Sequence, residues 1–167
     1  MLTLSPAMLG RDFDELIRCH APAARALAHA VTGNAGDAED IVQEALLAAL
    51  EHRGEIDAEG NPKAWLLRVA HRKALDLLRR RKVRAAGEAG LESVSAPVTE
   101  ADLHAVRRAF QKLPPATRAA MHLAYYEEMP YAEIADALDV SLSAVKMTIL
   151  RGREALRALL KETDDAV

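Results

Sequence analysis

Only one cysteine, Cys19, occurs in 167 residues. No disulfide framework is therefore possible within the chain, and a reducing cytosol is the expected compartment. Aromatic residues are nearly as scarce, at 4%. The apolar half of the chain is mostly Ala and Leu, which favours helices and disfavours a sheet. No apolar run approaches the ~20 residues needed to span a bilayer. The N-terminus carries no signal-peptide pattern, so a soluble, intracellular chain is expected. The six histidines show no C-x-x-C, H-x-x-x-H or H-E-x-x-H spacing, so neither a metal site nor a bound cofactor is expected. A phosphate-cradling glycine loop and a nucleophile–base–acid set are also missing. A catalytic role is the least expected one.

What is present is charge, sharply divided. The net charge is only −3, yet residues 1–60 hold four bases against eleven acids, and residues 85–140 hold four against nine. Between them, Asn61 to Arg84 (NPKAWLLRVAHRKALDLLRRRKVR) carries nine Lys or Arg against the single acid Asp76. A second basic stretch, residues 141–161, holds five bases and one acid. Segregation of this kind predicts separate surfaces for separate partners. A basic helix on an otherwise acidic chain is the electrostatic footprint of a polyanion.

Helical signals run the length of the chain. Residues 12–20 and 22–31 read as two short helices divided by Pro22, and Gly33 is placed to stop the second. Asp37 reads as the cap of a helix over 38–52, with Glu39 and Asp40 in a first turn that favours acids. Residues 53–61 read as a loop. Asn61 then caps the basic helix, Pro62 takes its first position, and Trp65, Leu66, Val69, Ala70, Leu75 and Leu78 recur at helical spacing. Trp65, on that apolar seam, reads as core. Residues 85–99 lose all periodicity and serve as a linker; as a coil they span about 20 Å, fully stretched about 50 Å. Further helices are expected near 100–113 (capped by Thr99), 115–128, 131–138 and 142–161. The predicted fold is therefore all-α: two small helical domains, 10–84 and 100–162, joined by the flexible linker 85–99. Cys19 reads as a small buried helix residue, and Tyr125 and Tyr126 as part of the C-terminal core.

Tyr131 to Leu160 has helix-turn-helix spacing. Ile134, Ala135 and Leu138 point inward, Asp139–Val140–Ser141 form a tight turn, and Ser141 can cap the next helix. In that helix Leu142, Val145, Ile149, Gly152, Leu156 and Leu159 share one face. Lys146, Arg153 and Arg157 fall within about 40° of one another at helical pitch. Ser143, Ala144, Met147 and Arg151 also face outward. Such a helix reads bases with its first turns and touches phosphates with its later basic residues.

Both halves resemble the extracytoplasmic-function group of bacterial sigma factors. The matching stretches are GDAEDIVQEALLAAL (Gly36–Leu50), PKAWLLRVAHRKALDLLRRR (Pro62–Arg81) and LPPATRAAMHLAYYEEMPYAEIADALDVSLSAVKMTILRGREALR (Leu113–Arg157). The resemblance implies a cytoplasmic initiation subunit without catalytic activity. Asp40, Gln43, Glu44 and Leu47 would meet a coiled coil on the clamp of core RNA polymerase. Arg68, His71, Arg72, Arg79 and Arg80 would follow the backbone of the melted minus-ten element, and loop 53–61 would hold an extruded base. Ser143, Ala144, Lys146, Met147, Arg151, Arg153 and Arg157 would contact the duplex minus-thirty-five element of promoter DNA. An anti-sigma factor is a further implied partner. The chain departs from the family pattern at Arg72, where relatives commonly have Asn, at Asp139, where the turn often has Gly, and over Ala144–Thr148, where Thr-Val-Lys-Ser-Arg is common. The alternative is a sigma-like mimic that sequesters an anti-sigma factor without directing transcription.

Overall fold

The structure, a computed structural model, describes residues 6–87 and 101–164. Among the described residues there are eight helices and no strand: α1 (Pro6–Thr32), α2 (Ala35–Glu51), α3 (Arg53–Glu59), α4 (Pro62–Gly87), α5 (Ala101–Lys112), α6 (Pro115–Tyr125), α7 (Tyr131–Leu138) and α8 (Leu142–Asp164). Thr99 and most of the expected linker lie outside the described residues, and α4 runs on through 85–87.

Three local expectations give way. Pro22 does not divide two helices; it sits inside α1. An interior proline removes a backbone donor and crowds the preceding turn, at about 3 kcal/mol. The burial of Phe13, Ile17, Ala24, Leu27, Ala28 and Val31 on one face offsets that cost, since a fully buried Leu or Val contributes about 1.5–3 kcal/mol. The α2 cap is Asn34 rather than Asp37, because Asn34 Oδ1 accepts the Asp37 N–H at 3.0 Å. The expected loop 53–61 is mostly the short helix α3, ended by Gly60 at φ 70°, a left-handed value that glycine adopts freely. Ile56 of this helix is 1% exposed, so an apolar anchor pulls the segment down as a helical turn.

Other signals hold. Asn61 Oδ1 accepts the Ala64 N–H at 3.0 Å, capping α4. Gly33 ends α1 at φ 74° with its N–H on the His29 carbonyl. Ser141 Oγ accepts the Ala144 N–H at 3.1 Å, capping α8. Asp139 makes the turn before it at φ 57°, a conformation that Asp tolerates through its short polar side chain.

In the N-terminal lobe α1, α2 and α4 pack together, with Leu27, Leu66, Leu67 and Ile56 fully buried and Trp65 at its edge against His52. In the C-terminal lobe α6, α7 and α8 enclose Leu123, Ile134, Val145 and Ile149. The apolar cores of the two lobes form one connected cluster, because α1 packs on α6 and α4 packs on α7. Tyr125 and Tyr126 are not core: they are 51% and 80% exposed, with Tyr126 stacked on His122. Leu142 is 41% exposed, outside the stripe that Val145 and Ile149 bury. Cys19 is also exposed. Helical period shows which residues share a face, but not which face a neighbouring helix covers.

Candidate nucleic-acid interface

The α2 helix presents Asp40, Gln43, Glu44 and Leu47 to solvent, an i, i+3, i+4, i+7 row that shares one face. Leu47 is 62% and Leu50 53% exposed. Beside them lies an open hollow of about 380 Å³ lined by Ile17, Leu46, Leu47 and Leu50, with Asp14, Arg18 and Gln43 on its polar side. Exposed leucines next to an apolar hollow, rimmed by charge, fit a surface made for another protein. Sequence reasoning found the row but missed the hollow, because its other wall comes from α1. Glu39 does not project freely: it pairs with Arg25 at 3.0 Å.

The α4 helix carries its cations as a ridge. Arg68, Arg72 and Arg79 recur at spacings that keep them on one face. Each has a contact of its own. Arg68 Nε donates to the Asp136 carbonyl at 3.1 Å, Arg72 meets the Asp139 carboxylate at 2.5 Å, and Arg79 meets Asp76 at 3.0 Å. Arg80 Nε donates to the Asp76 carbonyl at 3.3 Å. Two more cations join α4 to α2: Lys73 reaches Glu44 at 2.7 Å, and Arg81 grips Asp37 with two bonds of 2.5 and 2.7 Å. The Arg81–Asp37 fork was invisible in the sequence, where Asp37 read only as a helix-start acid.

His71 is the exception among the expected minus-ten residues. It is buried, 6% exposed, and its Nε2 has no hydrogen-bond partner among the described residues. Burial, with Arg72 and Arg79 beside it, pushes its pKa down to about 4, so the ring is neutral at pH 7. A neutral, enclosed imidazole cannot follow a phosphate backbone. Its register was legible: His71 follows Leu67 by four residues and precedes Ala74 by three, and both are fully buried.

In α8 the residues Ser143, Ala144, Lys146, Met147, Arg151, Arg153 and Arg157 are all exposed. Opposite them Val145, Ile149 and Gly152 are buried against the rest of the lobe. Gly152 permits the close approach of α8 to α6, since a Cβ there would stand 2.5 Å from Met121 Sδ. The Ser141 cap and the left-handed Asp139 fix the start of α8.

Comparison with known proteins follows the same division. The "Sigma-70 region 2" pattern matches residues 16–84, and the "Sigma-70, region 4" pattern matches residues 103–156. The chain is 31% identical over 153 residues to "ECF RNA polymerase sigma factor SigW" of Bacillus subtilis, spanning 81% of this chain and 82% of that protein. It is 33% identical over 153 residues to "ECF RNA polymerase sigma factor SigM" of Mycobacterium tuberculosis, spanning 89% of this chain and 76% of that one. Among solved structures it is similar to the sigma factor RpoE of Bartonella quintana in complex with the anti-sigma factor NepR, with a TM-score of 0.76 and 26% identity over 90% of this chain and 98% of that one. It is also similar to CnrH in complex with the cytosolic domain of CnrY, with a TM-score of 0.69 and 28% identity over 92% and 90% of the respective chains. Two sigma-70 regions in order, on an all-helical frame, leave one conclusion: the chain belongs to the ECF family of RNA polymerase sigma factors, the subunits that direct promoter-specific initiation of transcription.

Proposed function

We propose that the work of initiation is divided among three helices of this chain. The α2 row Asp40, Gln43, Glu44 and Leu47, with the adjoining hollow, docks on core RNA polymerase. The α4 ridge, through Arg68, Arg72, Arg79 and Arg80, holds the backbone of the melted minus-ten element. His71 is left out of that set because it is enclosed and neutral. The α8 face, from Ser143 to Arg157, reads the duplex minus-thirty-five element. Its early residues Ser143, Ala144 and Met147 lie at base edges, and Lys146, Arg151, Arg153 and Arg157 on phosphates. The chain contributes binding and selectivity, while polymerase supplies the chemistry, in the cytoplasm. An anti-sigma factor is the fitting regulator, binding where polymerase would.

The observation that supports this best is the α8 face: a capped helix start, a tight turn, and exposed Ser143, Lys146, Arg151, Arg153 and Arg157 opposite a buried stripe. The test is charge reversal within it. Lys146→Glu, assembled with core polymerase, is expected to weaken binding of upstream duplex DNA. It should also lower the slope of log affinity against log salt by about 1 or more, since each phosphate contact contributes about 0.9. An unchanged slope would remove Lys146, and with it this placement of α8 on the duplex.

A further inference from the structure

The first turns of α8 carry little that can hydrogen-bond a base edge. Residues 142–149 read LSAVKMTI, with no Asn, Gln, Arg, Asp or Glu, the side chains that pair most specifically with bases in the major groove. Lys146 is the one long donor among them, and it falls in line with Arg153 and Arg157 along one edge of the helix. The Ser143 hydroxyl lies 3.0 Å from the Ser141 hydroxyl, which also accepts the Ala144 N–H. Thr148 is half-buried.

What the front of α8 does expose is apolar. Ala144 is exposed, and Met147 and Leu150 are 45% and 48% exposed. At 100° per residue, Met147 lies roughly 140–160° round the helix from the buried Val145, Ile149 and Gly152. It is therefore the side chain at the crest of the outward face. Ala144 and Leu150 flank it on opposite sides, each about 60° round and about 4.5 Å along the axis. One exposed apolar side chain is ordinary on any surface. Here three occupy a single crest, with Lys146, Arg153 and Arg157 on one edge and Arg151 on the other. The matching ligand is a polyanion that offers apolar points between its charges. Duplex DNA is such a ligand, because in the major groove thymine presents a C5 methyl.

We propose that this chain selects its upstream duplex element through thymine methyl groups, with Met147 as the contact and Ala144 and Leu150 closing around it. This selection rests on the placement of α8 on the duplex, and it names what that face reads. The cations hold phosphates and carry no sequence information. The unbranched thioether of Met147 can adjust its shape to a methyl in the groove. Against the same side chains the amino group of cytosine or the carbonyl of guanine loses its water and gains no partner. Where the common Thr-Val-Lys-Ser-Arg pattern places hydroxyls, positions 144 and 147 place a methyl and a thioether. Apolar reading takes over from polar reading at both.

The experiment uses the full chain assembled with core polymerase and a pool of short duplexes sharing a randomised block, kept cold so that the strands stay paired. Selection should enrich sequences that hold at least one fixed thymine. Each thymine of a selected duplex is then replaced in turn by deoxyuridine, which removes the methyl and leaves every base-pairing group in place. At the thymine under Met147 affinity should fall about fourfold, the equivalent of one buried carbon at about 0.8 kcal/mol. Met147→Leu should keep this thymine-over-uracil preference, and Met147→Ser should abolish it. The salt slope of Met147→Ser should match that of the unaltered chain, since no phosphate contact is lost. Equal binding of uracil at every thymine, or a preference that survives Met147→Ser, would overturn the methyl reading and leave α8 on the duplex. A pool without any enriched sequence would instead overturn the duplex placement, and the methyl reading with it.

Discussion

Gly152→Ala provides a direct test of how α8 is seated. In an open helix interior the exchange stabilises by about 1 kcal/mol, because alanine loses less backbone freedom on folding. Here the added methyl would lie 2.5 Å from Met121 Sδ and 2.7 Å from Thr117 Cγ2, against about 3.5–4.0 Å for contact at the energy minimum. Met121 is buried but flexible and can give way. Thr117 is β-branched and stiff at χ1, with only two rotamers open to it in a helix, so it gives way less readily. Overpacking of this kind costs about 1–3 kcal/mol. Relief comes only if α8 lifts from α6. Overpacking wins over propensity, and the expected net effect is a loss of about 1–2 kcal/mol. Urea unfolding followed by helical circular dichroism reads this directly. With a slope near 2 kcal/mol per molar, the midpoint should fall by about 0.5–1 M. Promoter affinity should fall with it, since the reading face is carried on the displaced helix. A midpoint that stays level or rises would mean that α6 and α8 have room between them, and that the close seating of α8 is wrong.

Two further outcomes follow from side chains already placed. His71 is neutral in the folded chain down to about pH 4, whereas in the unfolded chain it takes a proton near 6.5. The unfolded state therefore binds more protons between those values. The contribution is intact above about 6.5 and is lost as pH falls towards 4, by roughly 3 kcal/mol in all. His71→Gln should flatten this part of the stability profile in denaturant titrations at stepped pH, and an unaltered acid-side slope would contradict the assigned burial. Leu47→Asp alters a side chain that is 62% exposed, so stability should change by no more than about 0.5 kcal/mol. Polymerase binding, measured by gel filtration or fluorescence anisotropy, should nonetheless fall at least 10-fold; retention of full affinity would free α2 from the docking role.

The features readable from sequence were those governed by local chemistry. Asn61, Pro62, Gly33 and Ser141 work within three or four residues of themselves, and each does in the fold what its residue type favours. Misreadings arose where distant packing decided. Pro22 stays inside α1 because Leu27, Ala28 and Val31 gain more from burial than the proline costs. Residues 53–59 coil into α3 because Ile56 finds a place in the core. Tyr125 ends the helix of buried Met121 and Leu123 and Tyr126 caps it, and only the position of the neighbouring helices leaves them in water. The α2 and α8 rows were legible because amphipathic spacing identifies an outward face. Arg118 was not, being a lone base in an acidic stretch whose acceptors Ala30 and Val31 lie far back in the chain.

The two basic faces differ in a way that net charge conceals. Cations of α4 are already engaged: Arg81 with Asp37, Lys73 with Glu44, Arg72 with Asp139 and Arg79 with Asp76. On α8, Lys146, Arg151, Arg153 and Arg157 form no ion pair among the described residues. A phosphate arriving at α8 displaces only counterions, which favours binding and makes it steeply salt-dependent. A phosphate arriving at α4 must exchange with a carboxylate already in place, so its gain is the difference between two charge pairs. Moderate salt weakens the exposed carboxylate pairs as well as the phosphate contacts, and the net salt dependence of α4 is correspondingly shallower. On the proposed assignment of the faces, duplex contact through α8 is thus the readier first step. On the same assignment, the α4 face would engage once polymerase and the unwinding strand supply enough phosphates together to outcompete Asp76 and Asp139.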